Sequence, residues 1–142
     1  MFHWTVSEAV HTKASTDEIW SMWQDVHTWP KWDKELDWCE ISGPFASGAK
    51  GRLKPKGWFA AQFVITKVAE GKSFEDETHM PFTRVVFDHR IQELGNENLI
   101  IHSVTTSGLL APLLWLFLGR KLKKGLRTSI ETLAHLAEQG IG

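Results

Sequence analysis

The chain has 142 residues, 42% of them apolar and 23% charged, with a formal net charge of −1. That length suits one domain, residues 1–142, and the balance excludes both a disordered chain and a globally basic nucleic-acid binder. Eight Trp and eight Phe with no Tyr favour large apolar surfaces, and a lone cysteine, Cys39, excludes an internal disulfide and fits a reducing, cytoplasmic compartment.

Residues 2–12 alternate, with Phe2, Trp4, Val6 and Val10 on one face, as in a half-buried strand. The opening Met1-Phe2-His3-Trp4 has no basic region, so a signal peptide is not supported. Ser15-Thr16-Asp17-Glu18 is a capping box, and the helix it starts presents Ile19, Trp20, Met22 and Trp23 and ends near Asp25-Val26. Thr28-Trp29-Pro30-Lys31-Trp32-Asp33 predicts a second short helix or turn, separated from the first by the restriction on the residue before Pro30. Strands are expected at 35–42, 52–56, 58–69, 72–80, 82–94 and 97–107, with turns at Glu70-Gly71 and Met80-Pro81. Consecutive strands with short turns imply an antiparallel meander.

The last hairpin carries a register. A two-residue turn at Gly95-Asn96 makes paired positions sum to 191 and sets His89 opposite His102, Phe87 opposite Val104 and Val85 opposite Thr106; a four-residue loop keeps that sum, and a three- or five-residue loop shifts it. The face with Val85, Phe87, Ile91, Ile100 and Val104 turns inward and takes both histidines with it.

From 109 to about 139 the chain is ten apolar residues, then the basic run Arg120, Lys121, Lys123, Lys124 and Arg127, then an amphipathic helix. Its stripe is Leu118, Leu122, Leu126, Ile130, Leu133 and Ala137. The apolar run is about half the ~20 residues a spanning helix needs. Leu113 to Leu118 beside cations reads two ways: an interfacial anchor, or a helix start buried over a cavity, which the continuing stripe favours. Pro112 and Gly119 are expected to interrupt the helix and leave a movable wall.

Ala14-Ser15-Thr16-Asp17-Glu18-Ile19-Trp20, Trp29-Pro30-Lys31-Trp32-Asp33, the Gly48-x-x-Gly51 loop and Gly108-Leu109-Leu110-Ala111-Pro112-Leu113 with Gly119-Arg120-Lys121-Leu122 together resemble the START/Bet v 1-like (SRPBCC) superfamily, in its polyketide cyclase/dehydrase-like branch. The resemblance implies an α+β helix-grip fold: a bent antiparallel sheet of about seven strands around a long C-terminal helix, two short helices after strand 1, and a hydrophobic cavity between. It implies that the Gly48 loop borders the cavity mouth, and it supports a polar or titratable residue at His102.

His89 and His102 are the candidate catalytic pair, as acid and base, or alternatively satisfied core histidines. Expected ligand contacts are Trp38, Trp58, Phe63, Phe74, Asp76, Phe87, His89, His102, Val104, Leu113, Trp115 and Phe117, a lining that selects a lipid, isoprenoid or aromatic polyketide-like molecule. Asp76 faces inward if the Met80-Pro81 turn sets sums of 161. No metal and no cofactor are expected: two histidines fall short of the three protein ligands of a catalytic zinc, and no phosphate loop or nucleophile elbow is present. The function expected is binding of that hydrophobic molecule, entering between the closing helix and the loops near Gly48 and Pro81. The alternatives are a polyketide cyclase/aromatase or dehydratase in the same cavity, and a lipid carrier touching membrane through the basic segment.

Overall fold

The computed structural model describes residues 2–140. Its elements are β1 (His3–Thr12), α1 (Thr16–Gln24), a 3₁₀ turn (Val26–Thr28), α2 (Trp29–Trp32), β2 (Leu36–Ser42), β3 (Lys50–Pro55), β4 (Ala61–Ala69), β5 (Ser73–Met80), β6 (Thr83–Glu93), β7 (Asn98–Gly108) and α3 (Ala111–Glu138). The strands form one antiparallel sheet in the order β1-β7-β6-β5-β4-β3-β2. Strands β2 to β7 are a meander of neighbours, and only β1 crosses to the far edge. The α1–α2 segment bridges the two edges, and α3 lies on β1 and β7 and meets both short helices. This is the helix-grip arrangement.

Gly95, at φ +81°, makes the tight turn of the last hairpin, where the Leu94 amide donates to the Glu97 carbonyl at 2.9 Å. His89 consequently pairs with His102. The β5–β6 turn is Pro81-Phe82 rather than Met80-Pro81, so Met80 pairs with Thr83 and the sum is 163, not 161. A shift of two preserves the side-chain face, and Phe74, Asp76 and Thr78 are all buried.

The capping box of α1 is formed: the Glu18 amide donates to Ser15 Oγ at 3.1 Å, and the Ser15 amide to Glu18 Oε1 at 2.9 Å. The helix ends at Asp25 (φ −94°, ψ +87°), at the expected Asp25-Val26 boundary, while the restriction before Pro30 does not interrupt the chain, since the 3₁₀ turn runs directly into α2. Trp29 is helical although a proline follows it, because its indole donates to the Trp23 carbonyl at 2.9 Å and its ring stacks on Phe63 and Phe74. Pro30 falls in the first turn of α2, where no N–H donor is needed.

Helix α3 runs without interruption. Pro112 lies in its first turn. Gly119 is buried because the Trp115 ring occupies the space of its absent side chain, 2.7 Å from where a Cβ would stand. The stripe is buried from Leu126 through Ile130, Leu133 and Ala137, but Leu118 is exposed and Leu122 half-buried. No helix among the described residues is long and apolar enough to cross a membrane.

The two glycines of the Gly48-x-x-Gly51 segment do different work. The Gly48 amide donates to the Ile65 carbonyl at 2.7 Å and pins the loop to β4. Gly51 belongs to β3, where a Cβ would lie 2.4 Å from the Phe63 ring and 2.5 Å from the Glu40 carbonyl. Gly51→Ala is expected to cost about 1–3 kcal/mol by overpacking, and Ser15→Ala about 1 kcal/mol by loss of the cap. Urea unfolding measures both; an unchanged midpoint for Gly51→Ala would contradict this packing.

Candidate functional site

Antiparallel pairing lays the inward side chains in rows across the sheet. One row is Glu8, His102, His89 and Phe74; the next is Val6, Val104, Phe87, Asp76 and Ile65; a third is Trp4, Thr106, Val85, Thr78 and Phe63. Asp76 therefore stands diagonal to His89, a relation that places side chains within about 7–8 Å.

The imidazoles of His89 and His102 lie edge to face with centroids 4.7 Å apart. Phe74 stacks flat on His89 at 3.9 Å. From above, α1 lowers Trp23 to 5.8 Å from both rings, and α2 brings Trp32 to 5.6 Å from His102. Four buried polar atoms at this contact have no hydrogen-bond partner: Trp23 Nε1, Trp32 Nε1, His89 Nδ1 and His102 Nε2. Glu8, at the edge of the row, is engaged by α3, with Lys123 Nζ at 3.1 Å and Arg127 Nε at 3.9 Å.

Burial pushes the His102 imidazole down to about 3. His89 is held well below the usual histidine range by burial first and by His102 second. Asp76 moves oppositely: burial, then the charges of Glu75 and Glu77, hold its carboxyl well above the usual range. Burial likewise raises the Cys39 thiol, which leaves it an inert core group. The site thus holds imidazoles that burial keeps neutral and, diagonal to them, a carboxyl whose hold on its proton burial strengthens. Such a set can donate and accept hydrogen bonds to a neutral polar group, and can pass a proton between an acid and a base. Among the described residues no three His, Cys, Asp or Glu side chains converge as metal ligands would.

Of the expected contacts, Phe63, Phe74, Asp76, Phe87, His89, His102 and Val104 share this inner face. The others do not reach it. Cys39 points inward, so Trp38 points outward, where the Arg52 guanidinium covers its ring at 5.8 Å. Trp58 is not in a strand: with Phe59 it occupies the β3–β4 turn, facing solvent. Leu113, Trp115 and Phe117 are exposed on the first turns of α3, which overturns their expected burial over a cavity.

The space above the histidines is occupied by Trp20, Trp23, Trp29 and Trp32, all buried. Surface depressions of about 290 and 250 Å³ lie elsewhere, the first lined by Lys34, Lys121 and Lys124 among others, the second by Phe2, Trp4 and Trp115. The Gly48 and Pro81 loops do not flank one mouth. Phe45 of the Gly48 loop plugs against Trp20 and Phe74 at 5.9 and 5.1 Å, whereas Pro81 sits at the opposite end, beside the β7–α3 junction. Sequence reasoning placed Trp23 and Trp32 among the aromatics without assigning them to the site; the signal was their indole N–H, a donor that a buried Trp ordinarily pairs.

Residues 3–138 match the profile of the family described as polyketide cyclase / dehydrase and lipid transport. A comparison with curated protein sequences finds no match. Among solved structures, the Zhui aromatase/cyclase from Streptomyces sp. R1128 superposes with a TM-score of 0.79 at 12% identity, covering 99% of this chain and 97% of that one. Norcoclaurine synthase from Thalictrum flavum, in complex with dopamine and hydroxybenzaldehyde, gives 0.74 at 13%, covering 97% and 88%. Ara h 8.0201 gives 0.75 at 14%, covering 97% and 99%. At such identities the likeness carries the fold alone.

The histidine pair has a consequence for stability. In the unfolded chain an imidazole takes up its proton near pH 6.5, but His102 does so in the fold only at about 3. Its contribution is whole above pH 6.5 and is lost as the pH falls towards 3. Asp76, with its raised pKa, acts in the opposite sense, costing stability as the pH rises past 3.8. Relative to His102→Leu, the wild type is expected to lose about 1.4 kcal/mol of unfolding free energy per pH unit between about pH 6 and 4. Urea titrations across that range check it; parallel pH profiles would show that His102 ionises in the fold as it does in water.

Proposed function

The chain belongs to the polyketide cyclase/dehydrase and lipid transport family, and from that membership we propose that it binds a hydrophobic small molecule between the sheet and α3, oriented by His89 and His102. The observation that carries this reading is the set of four buried polar atoms without partners around the two imidazoles. A buried donor or acceptor left unpaired costs about 1–3 kcal/mol, so an interior built only for stability would have no reason to gather them. A carbonyl or hydroxyl on an otherwise apolar ligand would satisfy them, and the surrounding Phe74, Phe87 and Val104 would take its hydrocarbon. Admission requires the aromatic layer to move. The α1–α2 segment is suited to that, being two short helices hinged at the non-helical Asp25.

An enzymatic reading, a cyclase or dehydratase using the same residues, is favoured by one observation. Burial raises the Asp76 carboxyl and lowers the diagonal His89, pushing an acid and a base apart in opposite directions on one face of the sheet.

Native mass spectrometry of gently purified protein is expected to show a bound apolar compound that His102→Leu loses. The same substitution removes an unpaired nitrogen, so the empty protein should be unchanged or more stable by about 1 kcal/mol. A stability loss above about 2 kcal/mol with no ligand in the wild type would make the pair structural instead. For the enzymatic reading, His89→Gln should abolish turnover of an aromatic polyketide-like substrate while affinity stays within a few fold; unchanged turnover removes that role.

A further inference from the structure

One end of the sheet carries a concentration of apolar side chains that nothing in the fold covers. The β3–β4 turn, the β5–β6 turn, the β7–α3 junction and the first turns of α3 all lie there, as the pairing of Ala61 with Leu53, Met80 with Thr83 and Thr83 with Gly108 requires. Phe59 is 81% exposed, Phe82 72%, Leu116 75% and Phe117 71%, and Trp58, Leu109 and Leu113 are also exposed. Aromatic side chains present roughly 150–250 Å² each, so the three phenylalanines alone offer on the order of 400 Å². Exposed apolar patches of a few hundred Å² are often functional. From Leu113 to Leu118 the helix is apolar on every side, a pattern that belongs to an apolar surrounding.

Phe82 adds an independent observation. It has φ +57°, the left-handed region, at a position after Pro81 where a turn ordinarily takes glycine or asparagine. A bulky residue there stores strain of about 1–3 kcal/mol. Its carbonyl abuts Gly108, at φ +119°, so the tip is braced against the α3 junction. The strain holds an aromatic ring out in water, where it adds nothing to the fold.

Charge selects the occupant. No acid occurs between Glu97 and Glu131. Lys123 and Arg127 are engaged with Glu8. Arg120, Lys121 and Lys124 have no acidic partner among the described residues, and Lys121 and Lys124 line a depression of about 290 Å³ with Lys34, Glu35 and Ser129. Roughly 10 Å of helix separates Phe117 from Lys124, which matches the 5–10 Å that apolar residues reach below lipid headgroups.

We propose that this end of the molecule docks on an anionic lipid bilayer, with Phe59, Phe82, Leu116 and Phe117 entering the acyl boundary and Lys121 and Lys124 at the phosphate level. This is a surface contact and does not depend on the ligand reading, since vesicles test it with no ligand added. Flotation with phosphatidylcholine–phosphatidylserine vesicles at low salt should recover the wild type, and raised salt or pure phosphatidylcholine should release it. Lys121→Glu with Lys124→Glu, and separately Phe117→Ser, should each weaken binding about tenfold or more. Phe82→Gly should weaken it too while raising the melting temperature, a pairing of effects that a folding role cannot produce. Failure of the wild type to float with anionic vesicles overturns the proposal. So does a dimer in lipid-free solution that Phe117→Ser dissociates with vesicle binding unchanged, which would assign the surface to a second copy of the chain.

Discussion

Two imidazoles facing each other across β6 and β7 are the constraint on which the rest of the interior turns. In water each would be half-charged near neutrality; between strands and indoles neither can be. Their neutrality requires a dry lid, and α1 and α2 supply one through Trp23, Trp29 and Trp32. Holding that lid down requires Trp29 to turn helical ahead of a proline, the Phe63 ring to lie over Gly51, and α3 to close the β1 side through Lys123 and Arg127 on Glu8. The unpaired nitrogens are what this packing leaves unsolved.

The molecule is consequently polarised along its length. One end is an aromatic interior shut by Phe45 and by the last turns of α3, where Glu138 accepts from the Thr12 hydroxyl at 2.7 Å. At the other, the first turns of α3 rise past the sheet with their apolar side chains uncovered, tied down through Trp4, whose indole donates to the Ala111 carbonyl at 2.7 Å.

Much of this could be read from residue order, for definable reasons. A two-residue turn leaves no freedom in register, so Gly95-Asn96 placed His89 against His102. Strand side chains alternate with period two, so Asp76 faces inward although the turn beside it is one residue later than expected. The capping box is local and needed no tertiary information. What could not be read depends on what a side chain meets. Trp38 and Trp58 are as apolar as Trp23, yet one faces an arginine outside the sheet and the other a turn in solvent, because register and strand length decide orientation. The α3 stripe fixes which face is apolar but not where its support ends, so residue order alone left burial and exposure of Leu113 to Leu118 both open and favoured the wrong one. Counting aromatics could not tell a filled interior from a lined cavity, and the strain at Phe82 appears only once the turn is placed.

The central claim is that His89 and His102 are buried, neutral and incompletely hydrogen-bonded. Imidazole ¹⁵N NMR on labelled protein tests it directly. The His102 nitrogens are expected to stay neutral as the pH is lowered to about 4 and those of His89 to stay neutral well below the ordinary histidine range, each ring with one nitrogen at the shift of a group without a partner. Titration of either ring with a midpoint near the ordinary value for exposed histidine would contradict it.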